Sequence, residues 1–148
     1  MTDRFHSFTV LIGSISRSIR RLKTDEVKEY NLSSSHVSCI YYLYKCEGLT
    51  SKELTNICEE DKALISRSLD YLERNGFITC NSVAKKRYKN SLYLTSKGKE
   101  VGAALVERID HILDLASEGL SEENRLILYQ SLELINDNLS RLAEKKGE

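Results

Sequence analysis

Proline is absent from the 148-residue chain, and glycine, seven in all, is sparse outside turn positions. Proline breaks helix interiors and glycine weakens them. Long uninterrupted helices are therefore expected, and a disordered linker is not. The four cysteines, Cys39, Cys46, Cys58 and Cys80, include no CxxC pair. Their spacing indicates neither a zinc knuckle nor a disulfide framework, and they read as thiols of a reducing compartment, mainly in the core. No apolar run approaches the roughly 20 residues that span a bilayer, and Met1-Thr2-Asp3-Arg4 carries no hydrophobic signal core. A soluble, cytoplasmic protein without membrane contact is expected. Also missing are a nucleophile–base pair at a recognisable spacing, a phosphate-binding glycine loop and a metal motif. No enzymatic activity, cofactor or metal is expected.

Net charge is zero too, but its distribution is uneven. Residues 50–100 carry ten Lys/Arg against seven Asp/Glu, whereas residues 101–148 carry five against ten. A basic face on a neutral protein is enough to attract phosphate.

What the chain does contain is organised around residues 49–95. Thr50-Ser51-Lys52-Glu53 reads as a capping box, opening a short helix whose inner face is Leu54 and Ile57. Asp61 is a good N-cap for a second helix, because its carboxylate satisfies an orphan N–H at the positive end of the helix dipole. There Leu64 or Ile65, Leu69 and Leu72 recur at three- and four-residue spacing. Asn75-Gly76 supplies the left-handed residue that ends helices. Phe77-Ile78-Thr79-Cys80 then reads as a strand, Lys85-Lys86-Arg87-Tyr88-Lys89 as a basic loop, and Leu92-Tyr93-Leu94-Thr95 as a return strand. Helix, turn, helix, strand, loop, strand is the order of a winged helix-turn-helix, a DNA-reading arrangement.

On the N-terminal side, Phe5, Phe8, Ile12, Ile15, Ile19 and Leu22 form a heptad-like stripe on a first long helix ending near Asn31. Ser33-Ser34-Ser35 offers a cap for a helix through about Cys46, stopped by Glu47-Gly48. After the hairpin, Thr95 or Ser96 can cap a helix from near Lys97 carrying Val101, Leu105, Ile109, Ile112, Leu113 and Ala116. Gly119 closes it. Ser121-Glu122-Glu123 starts a last helix with Leu128, Leu132, Ile135, Leu139 and Leu142 in register, and the tail from Glu144 to Glu148 frays. These flanking stripes form no obvious core of their own, so packing against a symmetry mate is expected.

Taken together, the Leu49-Thr50-Ser51-Lys52-Glu53-Leu54 opening, the run from Asp61 through Ile78 and the Leu94-Thr95-Ser96-Lys97-Gly98 exit resemble the MarR family of bacterial transcription regulators over nearly the whole chain. The resemblance implies a mainly α fold with a small β-hairpin wing: a single domain over 1–148, with 33–95 as the DNA-binding region, a wing at about 79–94, and dimerisation helices at 5–30 and 97–145. It implies a homodimer on a pseudo-palindromic double-stranded DNA operator, acting as a repressor. By position, Lys62, Ala63, Ser66 and Arg67 face the major groove. Arg67 can pair bidentately with guanine, Ser66 can bond a base or phosphate, Ala63 can touch a thymine methyl, and Lys62 suits a phosphate. N–H groups at Ser34 and Ser51 suit phosphates as well. In the wing, Lys85, Lys86, Arg87, Tyr88 and Lys89 form the basic contact. The family's Asp-x-Arg wing signature is altered: its positions are Lys86 and Tyr88, with Arg87 between.

The family also implies a small-molecule effector, for which Tyr30, His36, Tyr41 and Tyr44 are the candidate lining. Cys39 and Cys46 lie seven apart on one predicted helical face, although buried thiols are ordinarily inert. Asp110, His111 and Asp114 with His36 make only a thin metal set. A winged-helix protein-interaction module without DNA binding, and a thiol- or metal-responsive regulator, stay open as alternatives.

Overall fold

The computed structural model describes residues 3–80 and 90–146. The basic loop residues Lys85, Lys86, Arg87, Tyr88 and Lys89 lie outside the described residues. The chain divides into two compact units, Met1–Ile109 and Asp110–Glu148.

In the first unit, a π-helical turn (His6–Leu11) leads into α1 (Ile12–Asp25), followed by a 3-10 turn (Lys28–Tyr30). α2 (Ser34–Lys45), α3 (Ser51–Cys58) and α4 (Lys62–Arg74) come next, then the hairpin β1 (Ile78–Cys80) and β2 (Leu92–Leu94), and α5 (Ser96–Ala116) begins. The strands pair antiparallel in the register Ile78 to Leu94, Thr79 to Tyr93 and Cys80 to Leu92.

The predicted caps form. Glu53 N–H donates to Thr50 Oγ1 at 3.2 Å, and Thr50 N–H donates back to Glu53 Oε2 at 2.7 Å. Asp61 Oδ2 accepts from Ala63 and Leu64 N–H at 3.0 and 3.2 Å. Gly76 takes φ +76 beyond α4, where only glycine avoids a Cβ penalty.

Three expectations change. The first helix ends at Asp25, not near Asn31. Val27 leaves helical geometry (φ −121) and is buried, and Asn31 adopts the left-handed conformation (φ 56) that asparagine tolerates. Ile57 is 41% exposed, so Leu54, with half-buried Cys58 beside it, supplies the inner face of α3. Cys46 lies beyond α2 in extended geometry and is exposed, which removes it from the helical face of Cys39.

The core gathers Ile40 and Leu43 of α2, Leu54 of α3, Ile65, Leu69 and Leu72 of α4, Phe77 and Leu92 of the hairpin, and Leu105 of α5. Gly98 makes the hairpin–α5 junction possible, because a Cβ there would lie 2.0 Å from the Phe77 carbonyl oxygen. Arg108 of α5 donates to Glu26 O and to Glu29 Oε1, each at 2.8 Å, tying α5 to the 3-10 segment. The Glu29 carboxyl is held below its usual range by that bond.

In the second unit, α5 ends, Gly119 turns at φ +88, and α6 (Glu122–Lys146) starts with Asn124 N–H on Ser121 Oγ at 3.1 Å. Helix continues through Glu144 to Lys146 instead of fraying at Glu144. Arg125 pairs with Asp114 at 3.6 Å. Leu128, Leu132, Leu139 and Leu142 of the predicted stripe are all exposed in the single chain. So are Phe5, Phe8, Ile12, Ile15, Ile19 and Leu22 of the N-terminal stripe in the first unit.

Candidate nucleic-acid interface

α4 is amphipathic in a way its spacing anticipated. Ile65, Ser68, Leu69 and Leu72 are buried, while Lys62, Ala63, Ser66 and Arg67 are exposed together on the opposite side. Positions separated by three and four residues share a helical face, so these four make one contiguous patch. Among the described residues no ion pair or hydrogen bond engages the Lys62 or Arg67 side chain, leaving both cations available outward.

Rigidity comes from contacts with the start of α2. Ser68 is the one buried polar residue of the α4 inner face, and its Oγ donates to Ser35 Oγ at 2.9 Å. The His36 ring stacks on Tyr71 at 4.3 Å between centroids, with 13° between planes. Tyr71 Oη donates to the Asn31 carbonyl at 2.7 Å. His36 Nδ1 also accepts the Ser33 N–H at 2.9 Å, completing the cap of α2. Partial burial lowers the His36 pKa from its usual value near 6.5. Sequence reasoning missed Ser35, Ser68 and Tyr71. The available signal was a serine between Ile65 and Leu69 on an otherwise apolar face.

Ser34 and Ser51 occupy the first helical positions of α2 and α3 and are half-buried, where N–H groups of a first turn lack intrahelical partners. At the root of the hairpin, Thr95 Oγ1 donates to Gly76 O at 2.6 Å and accepts Gly98 N–H at 3.1 Å. Lys97 Nζ reaches Asn75 O at 2.9 Å and sits 4.2 Å from the centre of the Phe77 ring.

The four aromatic residues offered as effector lining have four different surroundings. Tyr30 lies beside Arg108, and its hydroxyl is shifted upward by a hydrogen bond with Glu29. His36 belongs to the α2 cap. Tyr41 meets Tyr42 edge to face, and Tyr44 is 40% exposed and packs its ring where a Gly102 Cβ would be. Among the described residues no group of three or more His, Cys, Asp and Glu is placed to hold a metal ion. No described helix is long and apolar enough to cross a membrane.

A capped two-helix reader followed in the chain by an antiparallel hairpin, with helices before and after it in sequence, defines a winged helix-turn-helix protein. Comparison with known proteins agrees. No protein-family model matches the chain. The uncharacterized HTH-type transcriptional regulator YybA of Bacillus subtilis (strain 168) is 25% identical over 138 residues, 92% of either chain. A putative MarR family transcriptional regulator from Listeria monocytogenes, solved in complex with a 26mer DNA, superposes with a TM-score of 0.82 at 26% identity, covering 100% of this chain and 97% of that one. NMB1585, a MarR family regulator from Neisseria meningitidis, reaches a TM-score of 0.83 over 98% of this chain and 99% of its own, and at 17% identity supports the fold alone. Its structural neighbours are thus MarR family transcriptional regulators.

Proposed function

We propose that this chain is a sequence-specific, double-stranded-DNA-binding transcriptional regulator and not an enzyme. It works in the cytoplasm as a homodimeric repressor on a pseudo-palindromic operator, and a small ligand modulates its DNA affinity. The observation that carries this is the exposed patch Lys62, Ala63, Ser66 and Arg67 on a helix held from behind by Ser68 and Tyr71. A reading helix needs long donors that reach base edges, small residues that permit close approach, and a fixed orientation. The Listeria relative holding a 26mer DNA supports the same reading.

In this reading Arg67 pairs with a guanine, Ser66 bonds a base or phosphate, Ala63 meets a thymine methyl, and Lys62 with the N–H groups at Ser34 and Ser51 holds phosphates. Lys85, Lys86, Arg87, Tyr88 and Lys89 supply the wing contact. Helices 5–30 and 97–145 serve dimerisation around the 33–95 reader, all within one functional domain. Support for the dimer is the exposed stripe on the N-terminal helix and on α6, since contiguous apolar area of this kind is rarely left wet in a monomer; the α5 residues Val101 and Leu105 are instead buried in the core of the first unit. For the effector, Tyr30, His36, Tyr41 and Tyr44 are the candidate lining.

The test is binding of the purified protein to a labelled fragment of its own upstream region, titrated across salt against unrelated DNA. Specific, steeply salt-dependent binding is expected. Binding no better than to competitor removes the sequence-specific part, and none at low salt leaves a protein-interaction module. Arg67→Ala should erase sequence preference more than general affinity. Equal loss on operator and random DNA makes Arg67 a phosphate contact instead.

A further inference from the structure

Two kinds of contact hold α4 against the rest of the first unit, and they constrain it differently. Ile65, Leu69 and Leu72 are buried in the shared core. Apolar burial is non-directional, so it fixes which side of the helix faces inward and resists a small roll about the helix axis far less. Hydrogen bonds are directional. Ser68 Oγ donates to Ser35 Oγ at 2.9 Å, and Tyr71 Oη donates to the Asn31 carbonyl at 2.7 Å. Tyr71 stands one turn beyond Arg67 on the same side of α4. Its ring is rigid, half-buried and stacked on His36, so a roll of α4 displaces the hydroxyl and stretches its bond.

The acceptor is itself anchored. Asn31 closes the 3-10 turn in the left-handed conformation, its N–H on Lys28 O at 3.1 Å, and Leu32 N–H reaches Val27 O at 3.4 Å. Val27 and Leu32 are both buried. Arg108 of α5 grips the same turn, with Nη1 on the Glu26 carbonyl, Nη2 on the Glu29 carboxylate and the guanidinium 5.8 Å from the centre of the Tyr30 ring. A run of direct contacts therefore leads from α5, through residues 26–31, to the Tyr71 hydroxyl.

We propose that Tyr71 is a positioning residue for DNA reading: its hydroxyl on the Asn31 carbonyl sets the roll of α4, and Arg108 acts on the same roll from α5 through the 26–31 turn. The effect on DNA rests on the functional reading above; the roll of α4 does not. A helix with its side chains is about 10–12 Å across, so a roll of about 10° carries its outer surface about 1 Å sideways. Binding constellations tolerate a displacement of roughly 0.5 Å. Ser66 and Arg67 then lose register with base edges, whereas Lys62, drawn to phosphate by charge, keeps most of its attraction. Preference for the operator suffers and general affinity does not.

The experiment makes two measurements on the full-length wild type, Tyr71→Phe and Arg108→Met. One is affinity for the labelled upstream fragment and for unrelated DNA of equal length. The other is the set of amide residual dipolar couplings of the free protein, which report how α4 is oriented against α2 and α3. Tyr71→Phe keeps the ring and removes the hydroxyl. Its affinity for the upstream fragment should fall roughly ten-fold, the scale of one bidentate base contact, with affinity for unrelated DNA unchanged. A merely structural loss lowers both together. In an Arg67→Ala background Tyr71→Phe should cost nothing further, and in Tyr71→Phe neither should Arg108→Met, because each pair acts in series. The couplings of residues 62–71 should depart from the wild-type orientation in both variants. Couplings that still fit that orientation overturn the positioning role, as do equal losses on both DNAs or additive costs. A wild type with no preference for its upstream fragment overturns the regulator reading, while the couplings still decide what the hydroxyl does to α4. Should Tyr71→Phe fail to fold, Arg108→Met, which leaves α4 untouched, carries both measurements.

Discussion

Gly98→Ala sets helix propensity directly against packing. Gly98 is the third residue of α5, and inside a helix alanine is favoured over glycine by about 1 kcal/mol. From local sequence alone the substitution should stabilise. The structure predicts the reverse, because the new Cβ would lie 2.0 Å from the Phe77 carbonyl oxygen, 3.0 Å from its carbonyl carbon and 3.2 Å from Leu94 Cδ2. Ordinary carbon–oxygen contact is about 3.3 Å or more, so α5 and the start of β1 must separate by over an ångström. The obstacle is backbone and cannot swing aside. That same carbonyl accepts Thr95 N–H at 3.0 Å, and Thr95 Oγ1 in turn accepts the Gly98 N–H. Overpacking of this kind costs roughly 1–3 kcal/mol, occasionally more, and weakening those bonds adds about 1 kcal/mol. After the propensity gain, a net loss of about 1–3 kcal/mol remains. For a chain of this size that lowers Tm by roughly 2–12 °C. The assay is thermal unfolding followed by far-ultraviolet circular dichroism at one fixed protein concentration, since an oligomer's Tm depends on concentration. Gly102→Ala should cost less, because its nearest neighbour is the Tyr44 side chain at 2.9 Å, which can move. An unchanged or raised Tm for Gly98→Ala would refute the packing argument.

Stability should fall as pH drops through about 6.5. His36 has a lowered pKa in the folded state, so the unfolded chain takes up its proton first and gains on the folded one. His36→Gln keeps a capping-box acceptor without titrating, so the stability gap between the two proteins should change between pH 7 and 5.5; a constant gap in denaturant titrations rejects the burial-lowered His36 pKa. Asp61→Ala should cost about 1 kcal/mol in urea unfolding through loss of the α4 cap, and an unaltered midpoint would count against that cap. Leu132→Asp with Leu139→Asp should convert a dimer to a monomer in light scattering, and a dimer surviving both charges would exclude the α6 stripe from the interface.

Much of the fold was readable because it rests on contacts within one helical turn. Thr50 with Glu53, Asp61 with Ala63 and Leu64, and Ser121 with Asn124 are bonds between residues two or three apart, and their chemistry is written in the residue types. The three- and four-residue spacing of Leu69 and Leu72 likewise placed the inner face of α4, and with it the outer patch of Lys62, Ala63, Ser66 and Arg67. Tertiary structure decided what depends on residues distant along the chain. Val27 ends α1 early by turning into the core, and Ile57 stays wet beside a buried Leu54. His36, offered by sequence to a ligand, is held by Ser33 and Tyr71, and Cys46 stands exposed beyond α2 instead of sharing a helical face with Cys39. Periodicity records which side of a helix is apolar. Which neighbour that side meets is set by the closure of the loops between elements, and that information resides in the packing of the whole unit.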